Sequence, residues 1–268
     1  MERFRPTVAV IDQAAFVHNL RLVRKRIGDC RQLMAVVKAN AYGHGAVALA
    51  KAAADSVADW LGVATVEEAL ELRESGILSP ILVFGAILPS QGCEAIQNQV
   101  RLVVPSIEIA ESINSVARAM GVRAKVHVKV DTGMGRIGFW YEDIGDIFER
   151  LCSLEHLEIE GIMTHFPESD SAHKSFTHWQ IGRFGEIRSL LESKGVRIPI
   201  YHAANSGAVL DHPGSYFDMV RPGIMLYGQH PSEECSREEA LRAVMSLKTQ
   251  IVFLKTVPAG RSISYART

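Results

Sequence analysis

The chain has 268 residues, 47% of them hydrophobic, enough for one large core or for a barrel with a small appendage. Its 29 basic and 30 acidic residues leave a formal net charge of -1, so composition gives no electrostatic footprint for nucleic acid or anionic membrane, and a small-molecule partner is the better expectation. No apolar run is long enough to span a bilayer, and Met1-Glu2-Arg3-Phe4-Arg5-Pro6 lacks the apolar core of a secretory signal, which makes the cytoplasm the expected compartment.

Residues 7–11 read as a short strand, and Asp12 suits the N-cap of a helix over 13–27. Next comes an apolar run, Leu33-Met34-Ala35-Val36-Val37, which ends on Lys38 and breaks into a glycine-containing loop. Such a run reads as a strand buried on both faces, as in a parallel sheet. One pattern then repeats: an apolar run, a polar or glycine break, an amphipathic stretch. The later runs lie at 60–63, 81–84, 100–104, 126–130, 157–163, 198–201 and 217–220, with helix-like segments such as 66–75, 107–120, 141–151 and 175–194 between them. About eight such units argue for an α/β fold, a closed (β/α)8 TIM-type barrel. A doubly wound open sheet is the alternative, although no GxGxxG follows the first strand.

After about residue 241 the texture changes. Residues 246–256 and 261–265 read as the two strands of a hairpin around Pro258-Ala259-Gly260. A lone hairpin is marginal in water, so the chain is expected to be a fragment of a longer protein. Its domains then run 1–240, a barrel, and 241–268, the first hairpin of a truncated β domain. Cys30, Cys93, Cys152 and Cys235 form no CxxC pair and are expected to be reduced, mostly buried, small apolar residues.

Chemistry-bearing residues gather at the expected carboxyl ends of the strands, where α/β proteins bind ligands. Lys38 is followed by Tyr42, by Gly43 and Gly45, and by a helix whose N-terminus favours an anion. A strand-end lysine that reaches solvent is the plain alternative. Lys129 and Asp131-Thr132-Gly133-Met134-Gly135-Arg136 follow the fifth strand, and the arginine fork suits either a carboxylate ligand or a structural ion pair. His165 sits just beyond the sixth strand. Asn205-Ser206-Gly207 after the seventh and Arg221-Pro222-Gly223-Ile224 after the eighth have the composition of a phosphate site, or of ordinary capped turns. Together they ask for a phosphorylated ligand opposite a lysine, with an arginine near its centre. Pyridoxal 5'-phosphate meets all three demands, since its aldehyde forms a Schiff base with a lysine and its ring nitrogen needs a polar partner. No metal-ligand spacing, Ser-His-Asp order or P-loop competes for these residues.

Four motifs carry a resemblance: Ala35-Val36-Val37-Lys38-Ala39-Asn40-Ala41-Tyr42-Gly43-His44-Gly45, Asp131-Thr132-Gly133-Met134-Gly135-Arg136-Ile137-Gly138, Arg221-Pro222-Gly223-Ile224-Met225-Leu226-Tyr227-Gly228 and Ser264-Tyr265. In this order and spacing, over nearly the whole chain, they resemble the bacterial alanine racemases. The resemblance implies a pyridoxal phosphate barrel with a β-rich C-terminal domain, in a cytoplasmic head-to-tail homodimer that interconverts L- and D-alanine and supplies D-alanine for cell-wall peptidoglycan. It further implies that Lys38 holds the cofactor and is one catalytic base, with Tyr265 the other, donated across the dimer. A group on each face of a planar carbanion gives access to both enantiomers. Arg221 resembles the partner of the ring nitrogen, with His165 beside it. Tyr42, Asn205, Ser206, Gly223 and Ile224 match the phosphate-binding region, Arg136 the substrate-carboxylate site, and Lys129 a lysine that many members carbamylate. The sequence departs from the family in lacking the rest of the β domain. This chain is therefore expected to bind cofactor but to racemise weakly or not at all. A racemase acting more broadly on small amino acids, and a non-catalytic pyridoxal phosphate-binding barrel, are the other readings. Neither nucleic acid nor membrane is an expected partner.

Overall fold

A computed structural model describes residues 5–267, so the outer limits of the two expected domains, at 1–4 and 268, lie outside the described residues. After β1 (Val8–Ile11), the eight apolar runs appear as β2 (Gln32–Val36), β3 (Trp60–Val63), β4 (Ile81–Val83), β5 (Arg101–Val104), β6 (Ala124–Asp131), β8 (Leu157–Met163), β9 (Ile200–His202) and β10 (Met219–Val220). A two-residue strand, β7 (Phe139–Trp140), lies alongside β6, and β11 (Met245–Lys248) comes last. All neighbours among the eight pair in parallel, in the order β2-β3-β4-β5-β6-β8-β9-β10, and β10 pairs with β2 through Met219 and Gln32. The sheet is closed, which decides for the barrel over the open sheet.

Alternation along the strands sorts side chains to two cores. Val126, Val128 and Val130 of β6 join the large cluster between sheet and helices, while His127, Lys129 and Asp131, which alternate with them, are buried on the other face. Inside the barrel, Met34, Trp60, Leu82, Val103, Met163, Ile200 and Met219 form a second cluster, one residue from each of seven strands. Helices such as Val66–Glu74 and Ile107–Ala119 cover the outside, capped by the Thr65 and Ser106 side chains.

Two expectations are corrected. The hairpin over 246–265 does not form. The turn is present, with Arg261 N–H donating to the Pro258 carbonyl at 3.3 Å, but residues 249–264 contain no strand. Instead β11 pairs antiparallel with β1, Val8 opposite Lys248 and Ile11 opposite Met245, because β1 lies outside the barrel and offers an open edge. The cysteines are not mostly buried: Cys30, in the turn before β2, and Cys93 and Cys152, on outward positions of the helices Gly92–Gln97 and Ile144–Cys152, are exposed, and only Cys235 is enclosed.

Candidate active site

Where the chain leaves β2, its backbone winds left-handed. Ala39, Asn40, Ala41 and Tyr42 have φ of 52–53° and ψ of 36–52°. Each such non-glycine residue costs about 1–2 kcal/mol, so four in succession persist only under external bracing. Glu68 supplies much of it: one carboxylate oxygen accepts from Ala39 N–H at 2.6 Å and the other from Ala64 N–H at 2.7 Å. The Asn40 side chain accepts from Ala46 N–H at 2.8 Å, tying the turn to the next helix. The Tyr42 ring packs on Tyr227 at 4.8 Å, and the Tyr227 hydroxyl donates to the Val36 carbonyl at the end of β2. This bracing turns Lys38 inward.

Lys38 faces a cavity of about 260 Å3 at the carboxyl ends of the barrel strands. Tyr42, Lys129, Arg136, His165, Asn205, Ser206, Arg221, Gly223 and Ile224 line it as well, so ten of the eleven residues singled out from the sequence meet in one place. Tyr265 is the exception: the residue is 94% exposed and does not line the cavity. Four basic side chains thus face the cavity, with Asp170 the only carboxylate on its lining among the described residues, a balance suited to an anionic ligand.

Each group is set by its surroundings. Burial, then the nearby Arg136, lowers the pKa of the Lys38 amine. Lys129 is buried and donates to the Val130 carbonyl at 2.9 Å; burial brings it down to about 7, against the pull of Asp131. Asp131 accepts from the N–H groups of Gly133, Met134 and Arg136 at 2.8, 2.8 and 3.1 Å and so shapes the loop that carries Arg136. Burial pushes its carboxyl up, but these backbone donors and Lys129 outweigh it and leave it below the ordinary range.

On the opposite side, Ser206 Oγ accepts from Gly223 N–H at 2.8 Å and Met225 N–H at 3.3 Å. Its own proton remains available to a ligand. Asn205 caps the helix Ser206–Asp211, accepting from Ala208 N–H and from Ser169 Oγ–H, so it builds the loop rather than reaching into the cavity through those atoms. Arg221 is buried and spends Nη2 on the carbonyls of Thr164 and Ala203, at 2.8 and 3.0 Å, with His165 Nδ1 at 3.4 Å. Burial and then Arg221 hold His165 well below the usual imidazole range.

The profile of the alanine racemase N-terminal domain matches residues 11–231. Alanine racemase 2 of Caldanaerobacter subterraneus subsp. tengcongensis is 44% identical over 268 residues, a match covering 100% of this chain and 69% of that protein. The chain belongs to the alanine racemase family. The alanine racemase of Methanococcus maripaludis is also 44% identical, over 98% of this chain and 71% of its own length. Among solved structures, alanine racemase of Clostridium difficile 630 superposes with a TM-score of 0.93 at 38% identity, covering 99% of this chain and 70% of that one. The Bacillus anthracis alanine racemase with bound L-Ala-P gives 0.90 at 36%, covering 100% and 70%. Within this racemase fold, Glu68, Ser169 and the inward His127 escaped the reading by strand ends, while Met163 and His202 fall inside its strand-end runs, Met163-Thr164-His165-Phe166 and His202-Ala203-Ala204-Asn205-Ser206-Gly207, without a role. Only the alternation of β6 marks one of them, by setting His127 on the face that carries Lys129.

Proposed function

We propose that this cavity holds pyridoxal phosphate and that the chain carries the cofactor half of an alanine racemase site. The observation that carries the reading is the shared cavity of the Lys38 amine and the Arg221 guanidinium, closed on a third side by the Ser206 hydroxyl and the Gly223 turn. The donor set fits the group. A Cβ on Gly223 would sit 2.5 Å from the Tyr42 hydroxyl, so this corner admits a small ligand oxygen beside two hydroxyls but no side chain. No hydrogen bond among the described residues takes Arg221 Nε, although the residue lines the cavity. When bound, pyridoxal phosphate supplies an aldehyde for a lysine amine and a conjugated ring that stabilises negative charge at the substrate α-carbon.

The chain's own residues do the rest. Lys38, its pKa lowered by burial, has a larger neutral fraction at ordinary pH and serves as covalent anchor and as proton carrier on one face of the α-carbon. Tyr42 and Ser206 donate to the phosphate, with Gly223, Ile224 and the Asn205-capped turn around it. Arg221 keeps its proton and gives the ring nitrogen a hydrogen bond rather than full protonation, which limits electron withdrawal and disfavours transamination. His165, neutral beside it, accepts from the guanidinium. Arg136 pairs with the substrate carboxylate. Lys129, near neutral pH partly an amine, takes up carbon dioxide with loss of a proton; the carbamate is an anion able to orient Arg136. Tyr265 is the second base, delivered to this cavity by another copy of the chain in a homodimer. The division into a cofactor barrel at 1–240 and the start of a β domain at 241–268 belongs to the same reading, supported by the end of the family match at residue 231. The product, D-alanine, then serves peptidoglycan in the cytoplasm.

Titration of the purified protein with pyridoxal phosphate is expected to give a near-visible absorbance band that Lys38→Ala abolishes. An unchanged band in Lys38→Ala sinks the cofactor assignment.

A further inference from the structure

Beneath Arg221, a line of polar side chains runs down through the barrel interior. Among the described residues no carboxylate contacts this buried guanidinium. Its Nη1 lies 2.9 Å from His202 Nδ1. A guanidinium has protons to give and no lone pair to offer, so His202 Nδ1 accepts and its proton sits on Nε2. That N–H meets His127 Nδ1 at 2.7 Å, which accepts in turn and leaves the His127 proton on Nε2. Facing it at 3.6 Å is a Glu160 carboxylate oxygen, too far for a hydrogen bond and close enough for direct electrostatic contact. His127 Nε2 has no hydrogen-bond partner among the described residues, so Glu160 is the group it addresses. Both imidazoles are fully buried.

The backbone is shaped around this contact. Between β6 and β8 the register slips: Val126 pairs with Ile159, His127 pairs with Gly161, and Glu160 is the extra residue of a bulge. Bulges re-aim side chains and recur next to functional sites. Gly161 makes room for the ring, since a Cβ there would lie 2.4 Å from His127 Nδ1. Below, Arg101 and Lys125 hold the Glu160 carboxylate at 3.1 and 3.2 Å, and the Arg101 guanidinium lies over Trp60, whose indole meets the His127 ring edge-on.

We propose that Glu160, His127 and His202 form a proton-ordered relay that positions Arg221 from inside the barrel, giving the buried guanidinium a distant counter-charge and aiming its remaining N–H groups at the cavity. Its consequence for the ring nitrogen rests on the cofactor reading above; its proton order does not. Glu160 and the two histidines are positioning residues, acting through Arg221.

Long-range 15N–1H correlation on histidine-labelled protein without cofactor is expected to show His202 and His127 both as neutral Nε2–H tautomers. Glu160→Gln is expected to move the Nδ1 shifts of both rings while exposed His173 stays put. Either ring found as the Nδ1–H tautomer, or doubly protonated at neutral pH, overturns the relay, and this arm needs no variant to fold. In protein loaded with pyridoxal phosphate, Glu160→Gln is expected to shift the absorbance maximum and to weaken cofactor binding several-fold. A band that Lys38→Ala abolishes but Glu160→Gln leaves unmoved overturns the relay and leaves the cofactor site standing.

Discussion

Gly223 shows how little room the phosphate corner leaves. Its N–H is taken by Ser206 Oγ, and a methyl group at its α-carbon would approach the Tyr42 hydroxyl to 2.5 Å. Gly223→Ala must therefore swing the tyrosine or tilt the loop that Ser206 anchors. Pyridoxal phosphate affinity is expected to fall at least roughly tenfold, about 1.4 kcal/mol, in an absorbance titration. Gly214→Ala, where a Cβ meets nothing within 4 Å, is the control and should bind normally. Equal affinity in both variants would show that the corner does not touch the cofactor. At this scale the sequence spoke through position: Lys38, Arg136, His165 and Arg221 were legible because each stands just past a strand end. His127 and Glu160 were not, because their contact depends on which residue of β8 faces β6, and a one-residue bulge decides that.

Among the elements, the left-handed turn after β2 departs furthest from local preference. Ala39, Ala41 and Tyr42 have no intrinsic reason to adopt positive φ, and only Asn40 tolerates it readily. From the sequence the segment is therefore just a loop with glycines. What fixes its hand is Glu68, 29 residues beyond Ala39, on a helix that the sequence placed without revealing what its carboxylate would hold. Glu68→Ala leaves the N–H groups of Ala39 and Ala64 without their acceptor, at about 1–3 kcal/mol for each one that stays buried. Hydrogen exchange at residues 39–43 is expected to accelerate. Unchanged protection would mean that the Tyr42–Tyr227 packing alone braces the turn. The failed hairpin makes the same point in reverse: 246–265 had strand-like composition, and the open edge of β1 captured only Met245–Lys248.

For the whole molecule, counting apolar runs sufficed to find eight strands, because a barrel buries its strands on both faces and leaves each a contiguous signal. The polar contents of that barrel set how it answers to pH. Burial lowers Lys129 to about 7 from an ordinary 10.5, and lowers His127, His165 and His202 from 6.5. Burial pushes the Glu160 carboxyl up, but His127 and Arg101 outweigh it and bring it from 4.5 down to about 2. In every case the unfolded chain binds more protons than the folded one between the two values, so stability rises with pH through each window. The Lys129 penalty is relieved as pH climbs from about 7 toward 10.5; the stability that the neutral histidines contribute is lost as pH falls below about 6.5; that of the Glu160 carboxylate is lost between about 4.5 and 2. The urea midpoint of the protein without cofactor is thus expected to climb continuously from acid to mildly alkaline pH. Glu160→Gln should flatten the most acid part of that climb, since it removes one of the depressed carboxylates that titrate there and leaves Asp131, the histidines and Lys129 in place. A midpoint that peaks near pH 5 and declines toward pH 9 would show that these buried groups do not govern stability, and a Glu160→Gln curve parallel to the parent's at every pH would show that this carboxylate is not held ionised by its neighbours.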